Sequence, residues 1–192
     1  MTGSNTAADS GSSPAPRGAR PLQVAALGYL LILLVVPLGG LDLAPDPIGW
    51  ALVVLGVSGL PRALPRRSLV LGLGLLAFAV SLPLAVPGVV ESVADVDLAL
   101  SWAVSLPALV TTVALSRALT DAARDADDLV AAGWIAWLRT GAVLVAVLPA
   151  LVFGAGITAL ASPTALLAQV VAAATVVVLL VYSGRAWARP GR

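Results

Sequence analysis

Asp121, Asp125, Asp127 and Asp128 stand close together in this chain, and clustered carboxylates are the groups with which a protein most readily holds a hard cation. Asp121 and Asp125 have D-x-x-x-D spacing and Asp128 follows one turn on, a pattern that could hold Mg²⁺ against a diphosphate. A second acidic group, Glu91, Asp95 and Asp97 in one stretch with Asp42 and Asp46 in another, could gather Ca²⁺ or Mg²⁺. The residue types that are missing narrow the chemistry further. The sequence has no Cys, no His and no Lys. Conventional zinc and haem sites, Ser-His and Cys-His nucleophiles, disulfides, Schiff bases and the P-loop lysine are therefore excluded. Any catalysis would run on carboxylates, hydroxyls and Arg.

The aspartate cluster lacks the company that such catalysis needs. The upstream D-G-x-x-A-R element of CDP-alcohol transferases is absent, and no second Asp-rich loop falls on the same side of the chain's hydropathy pattern. Leu115, Leu119, Ala122, Ala126 and Leu129 recur at helical spacing, so residues 116–131 are expected to form a solvated amphipathic helix. Arg117–Asp121 and Arg124–Asp128 are its i, i+4 ion pairs, each contributing about 0.2–0.5 kcal/mol. The other acids read as groups that keep loops wet. The expectation is a protein that is not an enzyme, with no catalytic residue, cofactor or metal.

The elements around these residues are dictated by oiliness. Of 192 residues 59% are hydrophobic and 11% charged, with a mean hydropathy of +1.01, more apolar surface than a water-soluble fold can hide. A helix needs about 20 apolar residues to cross some 30 Å of hydrocarbon. Charge-free stretches predict spans at 21–41, 47–61, 68–90, 98–116, 140–160 and 163–184, the last two divided at Ser162, read as an N-cap, and Pro163. The fold class expected is all-α, a polytopic transmembrane bundle of about six spans. Residues 1–20 and 185–192 are its polar tails, the first of them expected to be disordered. The 21–41 stretch reads as a retained span, since Pro37-Leu38-Gly39-Gly40-Leu41 is no A-x-A cleavage site. The 47–61 span is the shortest.

Six crossings with a cytoplasmic N-terminus put all eleven Arg on the cytoplasmic side, from Arg17 and Arg20 through Arg62, Arg66 and Arg67 to Arg185, Arg189 and Arg192. The opposite side receives Asp42, Asp46, Glu91, Asp95 and Asp97. Trp50 and Trp102 are then expected in an outer aromatic belt, and Trp134, Trp137 and Trp187 in an inner one. A net charge of +1 offers nothing to nucleic acid.

Two local features remain. In Asp42-Leu43-Ala44-Pro45-Asp46-Pro47-Ile48-Gly49-Trp50, Asp46 is placed to cap a helix that Pro47 begins, and Gly49 with Gly56 gives one face of close approach. This stretch resembles an L-x-P-D-x-I-G-aromatic hairpin of small bacterial, actinobacterial-type, multi-span membrane proteins of no assigned activity. The resemblance implies topology and no chemistry. Within the spans no ionisable side chain is expected at mid-depth, and Gln169, Ser105 and the kink at Pro107 are the candidates for a polar, outward-opening cavity. The functions these residues allow are helix packing with a second copy or another membrane protein, a carrier or channel for a neutral or lipidic solute, or a Mg²⁺-dependent lipid enzyme. Abundant Ala, Val, Leu, Gly and Arg without Lys points to a bacterial plasma membrane.

Overall fold

In the computed structural model, residues 20–34, 37–38, 41–42, 46–86, 89 and 98–189 are described. Among the described residues six α-helices carry the fold: α1 (Pro21–Leu33), α2 (Asp46–Ser58), α3 (Arg67–Leu84), α4 (Leu98–Asp125), α5 (Leu129–Gly154) and α6 (Ala161–Tyr182). The chain is all-α and membrane-embedded. Four of the helices, α3 to α6, are long and apolar enough to cross a bilayer, whereas α1 and α2 have 13 residues each, about 20 Å of helix.

Each helix packs against its chain neighbours, and α6 closes against α1, so the six form a ring in chain order. Arg20 approaches Gly184, Arg66 meets Asp121, and Arg185 meets Asp128. The start of α1, the α2–α3 turn, the α4–α5 turn and the end of α6 therefore share one end of the ring, and neighbouring helices run antiparallel. The ring is filled. Leu22, Val53, Val57, Leu115, Leu119, Ile135 and Leu179 are buried within it, and Tyr29 reaches across from α1 to α4, its hydroxyl 3.0 Å from Thr112 Oγ1. Trp50, only 4% exposed, sets its ring edge-on to Tyr29 at 5.8 Å between centroids.

Several element bounds differ from those expected. The helix predicted over 21–41 stops at Leu33, because Pro37 has no N–H to donate to the Leu33 carbonyl and disfavours helical geometry just before it. Pro37–Leu38 instead pairs antiparallel with Leu41–Asp42, in the register Pro37↔Asp42 and Leu38↔Leu41 that leaves a Gly-Gly pair between the strands. The amphipathic helix expected over 116–131 does not exist as a unit. Residues up to Asp125 continue α4, and α5 starts at Leu129, not 140, so Arg139 lies ten residues, about 15 Å, into α5 and is half-buried. Finally, α6 begins at Ala161 behind a 3₁₀ turn (Thr158–Leu160), with Leu160 as N-cap and no side-chain cap from Ser162. Pro163 is still tolerated, as it falls within the first turn, where helical N–H groups have no intrahelical partner.

Candidate functional site

The turn between α4 and α5 is where most of the expected chemistry was placed. Its backbone ends one helix and starts the next within three residues. Asp127 adopts a left-handed conformation (φ 57°), its N–H bonds to Arg124 O (3.0 Å), and the Asp128 N–H bonds to Ala123 O (2.8 Å). That pair of bonds is a Schellman closure, which satisfies carbonyls left open at the end of α4. Asp128 then turns its carboxylate to α5, Oδ1 accepting from the Ala131 N–H at 3.2 Å as an N-cap. Its other oxygen accepts from the Trp187 indole (3.3 Å) and pairs with Arg185 Nε (3.3 Å), so one side chain ties the α4–α5 turn to the segment after α6.

These contacts hold the Asp128 carboxyl below the usual carboxylate range. The Ala131 N–H is the largest cause and the Trp187 bond the next, with desolvation opposing and Arg185 adding a smaller pull. Asp121 pairs with Arg66 across the same end of the ring, both groups partly exposed, and the Arg67 guanidinium donates to the Ser58 carbonyl. Neither expected i, i+4 pair, Arg117–Asp121 or Arg124–Asp128, forms. Asp121 pairs instead with Arg66 of the α2–α3 turn, and Asp128, beyond the end of α4, pairs with Arg185. Among the described residues no three His, Cys, Asp or Glu side chains gather as a metal site. Asp125 is exposed beside a 250 Å³ pocket lined by Pro61, Leu64, Ala122 and Trp187.

Glu91, Asp95 and Asp97, the acids expected on the side opposite the Arg residues, lie outside the described residues. Asp46 is the first residue of α2 and half-buried, with Pro47 second, a position where a negative charge favours the helix dipole. Gly49 and Gly56 do face α1. A Cβ on Gly56 would sit 2.5 Å from Ala25 N and 2.7 Å from Pro21 O, and one on Gly49 would sit 2.8 Å from Gly28 O. The contact is reciprocal, since a Cβ on Gly28 would sit 2.5 Å from Gly49 O. The two backbones touch along this seam, which only glycine permits.

The three candidates for an outward cavity are not brought together. Ser105 lines a crevice of 280 Å³ between α4, α5 and α6, with Trp102, Pro149, Val152 and Thr164, and its hydroxyl donates to Trp102 O. Pro107 is half-buried in α4, where Thr111 Oγ1 donates to its carbonyl at 2.7 Å. Gln169, expected inside, is exposed on α6. The aromatic belt is also redistributed: Trp134 and Trp137 stand out from the bundle, the latter 76% exposed, while Trp50 is interior and Trp102 donates to Ala146 O. The residue that reading the sequence missed is Tyr29. A phenol in the middle of an apolar run was its visible signal, since a buried Tyr hydroxyl must find a partner.

Compared with protein families, with curated proteins and with solved structures, the chain matches none. The class therefore rests on the fold itself, a membrane-embedded helical ring with a packed interior.

Proposed function

We propose that this is a multi-pass protein of a bacterial plasma membrane, with both termini cytoplasmic, that performs no catalysis and acts by packing its outer helix faces against a second copy or another membrane protein. The observation that carries this reading is that Asp121 and Asp128, two of the acids a Mg²⁺ site would use, are each held by an Arg and an element junction. The Tyr29–Thr112 bond across the ring supports it, as polar groups in the interior are engaged with one another and not with a passage. Six crossings keep the Arg-bearing ends on one face of the membrane. The test is purification from native membranes in mild detergent, with the mass of the particle measured. Assemblies larger than one chain are expected, and a strictly monomeric particle with no copurifying protein would overturn the proposal.

A carrier or channel for a neutral or lipidic solute is the second reading, favoured by the crevice at Trp102, Ser105 and Pro149. Proteoliposome uptake that falls with Ser105→Leu and Pro107→Ala is its expected signature, and uptake equal to that of protein-free vesicles removes it.

A further inference from the structure

Helical hydroxyls in this protein are mostly satisfied by their own backbone. Ser58, Ser81, Ser105, Thr111, Thr120, Thr140, Thr164 and Thr175 all donate to a carbonyl three or four residues back. Gln169 differs. It is exposed on α6, eight residues or about 12 Å from the start of the helix and thirteen residues or about 20 Å from its end at Tyr182, which places it near mid-depth of a crossing helix. Among the described residues its amide has no hydrogen bond within the chain. A primary amide facing hydrocarbon without a partner is unfavourable, because no water is present to satisfy it.

The surroundings of Gln169 on α6 allow a close neighbour. Ala165 and Ala173, one turn to either side, are exposed with it, and Leu166, Val170 and Val177 flank the strip. Small residues bracketing a polar one let a second helix backbone come near enough for side-chain hydrogen bonds.

We infer that this strip of α6 is a homodimer interface in which Gln169 of each copy hydrogen-bonds to Gln169 of the other. The argument for a second copy, and not another partner, is symmetry. All copies insert with one orientation, so a two-fold axis along the membrane normal brings each residue level with its own counterpart. An amide offers both donor and acceptor, and so is complementary to itself. Gln169 is thus matched at its own depth by the one molecule certain to carry an amide there. The inference rests on the helix-packing reading proposed above and names its partner.

Because the chain has no Cys, single substitutions report contacts cleanly. Full-length protein carrying Ala173→Cys, oxidised in native membranes, is expected to give a disulfide-linked dimer, whereas Leu75→Cys on the exposed face of α3 gives little. In the Ala173→Cys background, Gln169→Leu lowers the dimer fraction about tenfold at limiting protein-to-lipid ratio, and Gln169→Asn retains most of it. Equal cross-linking at positions 173 and 75, or a dimer indifferent to Gln169→Leu, overturns the inference. A position-173 adduct to a different protein also overturns it while leaving the helix-packing reading standing. Monomer alone in every variant overturns the inference, and the helix-packing reading falls with it only if the purified particle is also a monomer without a copurifying protein.

Discussion

The hairpin of α1 and α2 and the hairpin of α4 and α5 solve one problem, joining two antiparallel helices inside a lipid-exposed ring, by opposite means. The first uses backbone contact. Its helices are 13 residues long, Gly28, Gly49 and Gly56 bring their backbones into contact, and no side-chain hydrogen bond joins them among the described residues. The second uses length and polar closure, with helices of 28 and 26 residues, a Schellman turn at Asp127 and a cap at Asp128 that also reaches Arg185 and Trp187. In lipid the hydrophobic effect does not press helices together, so adhesion must come from close packing or from hydrogen bonds. The two hairpins take one route each. The expected sensitivities differ accordingly, steric in the first and electrostatic in the second.

The largest effect should follow Gly56→Leu. Its Cβ meets Ala25 N and Pro21 O, backbone atoms that cannot rotate away, so α1 must move off α2 at about 3 kcal/mol or more. Thermal unfolding in detergent should reveal it as a large fall in Tm, while Gly72→Ala, with nothing within 4 Å, leaves Tm unchanged or slightly higher. Asp128→Ala comes next, since it strips the cap, the indole bond and the ion pair from the second hairpin together. The same group sets an acid limit. Its folded pKa lies below the ordinary carboxylate value of 3.8, so its contribution is complete above that pH and fades as pH falls through the lower, folded value. The Tm of wild type should therefore drop more steeply below about pH 4 than that of Asp128→Asn.

Tyr29→Phe removes the bond that links the two hairpins across the ring, and should cost about 0.6–1.5 kcal/mol. The loss is moderate because Thr112 keeps its bond to Ala108 O. Smallest, and of opposite sign, is Asp127→Gly: a glycine at φ 57° relieves the left-handed strain of an L-residue and should stabilise by about 0.5 kcal/mol. A destabilised Gly variant would contradict the Schellman assignment.

Hydropathy made the helices legible because twenty oily residues have few other fates, and the glycine seam was readable from the seven-residue spacing of Gly49 and Gly56. What escaped was polar detail at helix ends. Pro37 followed by Gly39-Gly40 carries a stop-and-turn signal that uninterrupted hydropathy masks, so the span that hydropathy alone predicts is longer than α1. Asp127-Asp128 before an apolar run is a helix stop followed by a cap, yet the surrounding Arg residues made it look like the charged face of one continuous helix. Gln169 reads as interior because polar residues in spans usually face inward, and a single helix pattern that is apolar all round gives no direction to say otherwise.

Six crossings are most demanding at the short first hairpin, since they require about 20 Å of helix in α1 and in α2 to reach across some 30 Å of hydrocarbon, with the Pro37–Leu38 and Leu41–Asp42 ribbon at the tip away from the Arg-bearing end. Single cysteines at Ala63, Ala126 and Ala186, at the Arg-bearing end, and at Asp42 and Ala155, at the other, can each be labelled in sealed cells with a membrane-impermeant maleimide. Six crossings predict that Asp42→Cys and Ala155→Cys react from outside and that the other three react only after the membrane is opened. An Asp42→Cys that stays protected, or an Ala63→Cys and an Ala186→Cys that react from opposite faces, would contradict it.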